Sequence, residues 1–228
     1  MRFQDAARDA RAIVYAGIQA DPVVARAALL LAAATHAQRL LARAVMNGET
    51  TEPDGWHTMF PTLFGPDIAA EERGRSDAIL AVALDVAERG EQVRSQYRGA
   101  LVEALTEALL ARRVSPGAIR RERRILFDGV RAEIHPYDVT LESDGAAEAF
   151  DCKWGARGIG PDVLYQLDDA RTHAADEDEP LRVALVVFDA RRSCEVRLAA
   201  QTAPTAGIDV ITLETLDDLA RPALRPAS

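Results

Sequence analysis

Residues 181–189, LRVALVVFD, constrain the fold more than any other stretch of this 228-residue chain. Seven of the nine are apolar, and they do not alternate with polar residues. A half-exposed strand would show a two-residue period and an amphipathic helix a period near 3.6. A short run with neither, ended by a charge, reads as a strand buried on both faces. Such strands belong to sheets whose two sides are covered. The chain must therefore wrap helices around a sheet, and it is long enough to bury a core of that kind.

The rest of the chain falls into two textures. Residues 5–19 read as a helix rich in Ala and Arg, with Ile13, Val14 and Ile18 on one side. Asp21-Pro22 opens a second helix, a carboxylate N-cap followed by Pro at the first helical position. It is expected to run to Met46 and stop at Asn47-Gly48. Residues 49–67 carry three Pro and two Gly and read as a loop stapled by Trp56, His57, Phe60 and Phe64. A helix over 67–89 follows. After residue 92 the pattern changes. A helix over 93–113 closes at Ser115-Pro116-Gly117, and β-type runs follow at 118–127, 130–142 and 147–154. The turns Asp128-Gly129 and Asp144-Gly145 between those runs are hairpin signals. A helix over 160–174 leads to the buried strand, then shorter strands at 194–198 and 208–213 and a helical turn at 214–219. The expectation is an α/β (α+β) protein: an all-helical domain over residues 1–91, then a domain over 92–228 with the order α-β-β-β-α-β.

Of the 27 basic residues, 26 are arginine, and Lys153 is the one lysine. It lies in Ala149-Phe150-Asp151-Cys152-Lys153-Trp154. Alternation along a strand turns Asp151 and Lys153 to one face and Phe150, Cys152 and Trp154 to the other, apolar one. Burying charge is costly unless the charge is paired or bound to metal. A structural ion pair would be served as well by Arg, which this chain uses everywhere else. An ammonium differs in being a compact point charge whose pKa can be tuned. Beside a metal it can hold or deprotonate an attacking water. A Mg²⁺ site needs further hard oxygens, and the preceding strand offers Asp138, thirteen residues before Asp151. A hairpin would bring the two carboxylates close. Upstream, Glu103 lies at the border of the apolar stripe Leu101, Leu105 and Leu109, with Glu107 one turn on as its competitor.

Glu on the first helix, Asp on a hairpin strand, Asp-x-Lys on the next, then a helix and a buried strand resembles the PD-(D/E)XK phosphodiesterase superfamily, with its restriction-endonuclease-like fold. The resemblance covers roughly residues 92–213 and is strongest to the Mrr-type and RecB-type nuclease branches. Pro136 stands two residues before Asp138 rather than beside it. The resemblance implies that Asp138 and Asp151 ligate Mg²⁺, or Mn²⁺ in its place, with the Cys152 carbonyl assisting. It implies that Glu103 ligates or orients from the helix, that Lys153 positions the water, and that Gln166 joins the catalytic set. The implied activity is metal-dependent hydrolysis of DNA leaving a 5′-phosphate, in restriction or antiviral (phage) defence or in repair.

The net charge of −9 disfavours a protein that coats nucleic acid, but the charge is unevenly spread. Between residues 111 and 131 seven arginines face only Glu122 and Asp128, whereas residues 138–180 hold twelve acids and three bases. Arg112, Arg113, Arg120, Arg121, Arg123 and Arg124 are therefore the expected phosphate contacts. The acidic helical domain is a poorer DNA reader, suited to dimerisation, regulation or docking a protein partner. Cutting both strands calls for a homodimer or larger assembly. Two alternatives stand beside this reading: a nuclease-fold subunit without catalysis, and a nuclease acting on RNA. Cys152 and Cys194 show no metal-ligand spacing and read as reduced thiols. With no apolar run long enough for a membrane and no secretory signal at the start, the expected location is the cytoplasm.

Overall fold

The computed structural model describes residues 1–6, 10–48, 52–128, 130–131, 135–143 and 146–221. The buried apolar run forms an interior strand of a mixed sheet, with strands β1 (Arg2–Asp5), β2 (Ile119–Phe127), β3 (Val130–Arg131), β4 (Tyr137–Ser143), β5 (Ala146–Lys153), β6 (Leu181–Val187) and β7 (Asp209–Ile211). Their order is β1-β2-β4-β5-β6-β7, with β3 paired to the end of β2. From β1 to β5 neighbours are antiparallel, while β5, β6 and β7 run parallel. The helices are α1 (Ala10–Gln19), α2 (Pro22–Ala32), α3 (His36–Asn47), α4 (Pro53–Met59), α5 (Pro61–Phe64), α6 (Ala70–Ala87), α7 (Glu91–Leu110), α8 (Pro161–Asp176) and α9 (Arg191–Ala199). The molecule is thus α+β. No single helix among the described residues is long and apolar enough to cross a membrane.

The β5–α8–β6 crossover covers one face of β6. Val183, Leu185 and Val187 pack in one core with Leu164, Leu167, Ala170 and Ala174 of α8, while Ala184, Val186 and Phe188, of opposite parity, are also fully buried. One end of β5 is tied down by charge. Glu148 is buried and accepts from Arg113 Nη2 at 2.7 Å and from Arg182 Nη1 at 2.8 Å, and Arg182 Nε reaches Asp209 of β7 at 2.7 Å. This links three parallel strands and the residues following α7.

The chain divides into two compact units, Ala10–Leu105 and Met1–Asp9 with Thr106–Ser228. The expected boundary at 91/92 therefore moves into α7, and the first residues join the sheet through β1, which pairs Arg2 with Leu126 and Asp5 with Arg123. In the helical unit the expected single helix over 21–46 is two. Asp21 caps the first, accepting from Val23 N at 2.8 Å. Thr35 and Gln38 form a reciprocal capping box that starts the second. The carbonyls left at the end of α2 are met by a buried guanidinium, Arg39 Nε on Leu31 O at 3.1 Å and Nη2 on Ala32 O at 3.3 Å. The expected loop over 49–67 holds two short helices, α4 and α5, each opened by a proline at its start. α6 lies against α2 and α3.

Residues 194–198 are helical, not a strand. Cys194 and Leu198 stand four apart and face the core of the sheet unit, while Val196, which alternation would have buried, is 56% exposed. The expected run over 130–142 is broken, with only 130–131 and 137–143 in strand among its described residues. Asp128 adopts the left-handed region (φ 43°), as a tight turn requires. Gly129 and the second hairpin signal, Asp144-Gly145, lie outside the described residues.

Candidate functional site

Pairing of β4 with β5 runs from Ser143↔Ala146 to Val139↔Phe150. One further step of that register sets Asp138 across from Asp151. The Asp138 carboxylate then accepts from the backbone N of Cys152, Oδ2 to N 2.6 Å, which pins it to β5 between the two charged residues. Asp151 is 7% exposed, and its Oδ1 is met by the Lys153 ammonium in an ion pair rather than by a hydrogen-bond donor of the backbone. Burial presses the Lys153 pKa down. Asp151 and then Asp138 push it up and prevail, so the ammonium is held above its ordinary value. The three side chains thus share one local field, with a single positive charge between two carboxylates. On its other side Cys152 is buried, its Sγ 3.5 Å from Thr106 Oγ1.

Lys153 is also held from behind. Its carbonyl accepts from Phe188 N at 2.9 Å, and Trp154 stacks on Phe188 with ring centroids 5.0 Å apart. The 3-10 turn Ala156–Gly158 comes next, and the carboxylate of Asp189 secures it by accepting from Ala156 N at 3.0 Å while also accepting from Ala190 N at 2.8 Å. Asp189 was visible as the charge that ends the apolar run. Its role was not, because both donors are backbone groups with no sequence signature.

Gln166 of α8 is buried and clamps one backbone residue. Its Nε2 donates to His135 O and its Oε1 accepts from His135 N, both at 3.1 Å. The Tyr137 hydroxyl donates to the Gln166 carbonyl at 3.3 Å. These bonds fix the approach to β4 three residues before Asp138, so Gln166 acts on the position of a strand.

Glu103 makes hydrogen bonds within its own unit. It belongs to the helical unit, where its buried carboxylate accepts from Tyr15 Oη at 2.5 Å and Gln19 Nε2 at 2.7 Å. Its competitor Glu107 takes both Nε and Nη2 of Arg121. Among the described residues no group of three or more His, Cys, Asp or Glu is arranged to hold a metal ion. Asp138 and Asp151, the two carboxylates on neighbouring strands, are joined through the Cys152 backbone N–H and the Lys153 ammonium.

The arginine stripe is largely engaged inside the protein. Arg113 is buried on Glu148 and Leu219 O, Arg121 grips Glu107, and Arg123 bridges Glu142 and Asp5. Arg112 and Arg120 are exposed, and Arg124 is half-buried. The positive surplus counted along the chain thus overstates what remains at the surface.

No family model matches the chain, and no curated protein matches it. Among solved structures it is similar to protein VC1899 from Vibrio cholerae, with 18% identity, 88% of this chain covered and a TM-score of 0.47; the chain spans 55% of that protein's length.

Proposed function

We propose that the sheet unit is a metal-dependent phosphodiesterase that cleaves DNA, with a restriction-endonuclease-like core built from the end of α7 (Thr106 onward), β2, β4, β5, α8 and β6. The observation that carries this reading is the junction of Asp138, Asp151 and the chain's one lysine at adjoining positions of β4 and β5. A purely structural pair would be expected to use arginine, as the rest of the chain does.

The donor set is two carboxylates and a carbonyl, all hard oxygens, which fits Mg²⁺ or Mn²⁺ completed by water. Asp138, Asp151 and the Cys152 carbonyl would hold the cation, and bound there it would supply Lewis-acid polarisation of the phosphate and a more acidic water. Lys153 orients that water through its ammonium and adds positive charge where the phosphate gains negative charge. Asp138 keeps Cys152, and with it the carbonyl, in place. Gln166 holds the start of β4. Exposed Arg112 and Arg120 serve as phosphate contacts, and a homodimer goes with cutting both strands.

Purified protein incubated with supercoiled plasmid and Mg²⁺ or Mn²⁺ tests this. Cleavage should require the metal, disappear in Asp151→Ala, and fall about 10²–10³-fold in Lys153→Ala, the scale of one lost transition-state contact. A wild type that neither cuts nor binds metal by calorimetry refutes the reading. A second reading, a nuclease-fold subunit without catalysis, draws on the engagement of Glu103 with Tyr15 and Gln19 and of three arginines with internal carboxylates. The same calorimetry separates the two.

A further inference from the structure

The turn after β5 presses on the side chain that β5 delivers. A Cβ placed on Gly158 would lie 2.9 Å from Lys153 Cδ and 3.1 Å from both its Cβ and its Cγ. The first distance is one that real Cβ atoms do not adopt, and the Lys153 Cβ is fixed to the strand and cannot swing aside. Gly158 has no positive φ, so its backbone angles do not call for glycine; only the lysine stem does. Gly160, two residues on, has nothing within 4 Å of the same added atom. The turn itself cannot retreat easily. Asp189 holds Ala156 N from the end of β6, and Phe188 N holds the Lys153 carbonyl. The lysine stem is therefore confined between a pinned turn on one side and Asp151 on the other.

We propose that Gly158, in a turn pinned by Asp189, is a positioning residue that sets where Lys153 places its ammonium on Asp151. Its consequence for activity rests on the phosphodiesterase reading; the placement does not. An added methyl at 158 must move the stem, and an ammonium displaced by about 1 Å from its working place is expected to cost about a hundredfold in rate.

Because Lys153 is the one lysine, protein grown with ¹³C,¹⁵N-lysine gives a single side-chain spin system. In Gly158→Ala its Cε–Nζ signals should move at least half as far from wild type as they do in Asp151→Asn, whereas in Gly160→Ala they should stay in place. Cleavage should fall about a hundredfold in Gly158→Ala and hold in Gly160→Ala. A Gly158→Ala spectrum that superposes on wild type overturns the proposal. If the wild type cleaves nothing, the phosphodiesterase reading fails and the spectrum alone still decides the placement. If Gly158→Ala does not fold, Asp189→Asn is measured instead: it turns one acceptor into a donor beside a backbone N–H, and an unmoved lysine signal there also overturns the proposal.

Discussion

Removing the ammonium while keeping the stem, in Lys153→Met, isolates what the ion pair contributes. Asp151 is 7% exposed and the Lys153 side chain 26%, so the pair lies mostly out of water. Two unit charges in contact attract by about 4 kcal/mol at an effective dielectric of 20. Desolvation of the ammonium offsets part of that. Deleting one partner of a buried pair costs about 3–5 kcal/mol because the other charge is stranded, and the partial exposure of Lys153 places this case near 3 kcal/mol. Asp138 adds to the penalty, since the two carboxylates then lack the cation between them. Urea unfolding at neutral pH should show this loss, and Lys153→Met combined with Asp151→Asn should recover about 2 kcal/mol of it as coupling. The raised pKa fixes the pH window. On the alkaline side the stabilisation is complete below the ordinary lysine value of 10.5 and disappears as pH rises through the higher folded value, so between neutrality and 10.5 the gap between wild type and variant should hold and close only beyond it. A variant within about 0.5 kcal/mol of wild type, additive with Asp151→Asn, would refute the view that this pair is tightly coupled.

Glu148→Ala should cost about 3–4 kcal/mol in the same assay, because it strands the guanidinium of Arg113, whose side chain is 7% exposed, and unties Arg182; an effect under about 1 kcal/mol would show the network to be dispensable. Asp21→Ala removes the cap of α2 together with the acceptor of the Tyr97 hydroxyl and should cost about 1–2 kcal/mol. The Tyr97 hydroxyl, then the Val23 N–H, holds the Asp21 carboxyl below its ordinary 3.8, so this contribution is present above that value and is lost as pH falls through the lower folded one. Thermal melts should accordingly differ between wild type and variant at pH 7 and converge in acid.

The doubly buried strand and the candidate site were legible because their signals are local. Uninterrupted apolarity marked β6, and Asp-x-Lys alternation marked the charged end of β5. What escaped depends on partners distant in sequence or on backbone groups. β1 is a mostly exposed edge strand made by pairing with residues near 125, so its four residues carry no hydrophobic pattern of their own. The break between α2 and α3 falls inside an alanine-rich run and rests on the Thr35–Gln38 box, which apolar periodicity does not register. The arginine stripe looked available because its carboxylates lie 14, 19 and 35 residues away, on Glu107, Glu142 and Glu148. Counting charge along a window cannot see those pairs.

The same pairs sharpen the case for Lys153. Arg121 meets Glu107, and Arg123 meets Glu142, through Nε and Nη2 together, the forked geometry that a planar guanidinium shares with a carboxylate. At position 153 no fork is made. One nitrogen faces one oxygen, Asp151 Oδ1, while the neighbouring Asp138 carboxylate is engaged through Oδ2 with a backbone N–H. The single departure from arginine falls where one ammonium stands beside two carboxylates, and the phosphodiesterase proposal rests on that pairing.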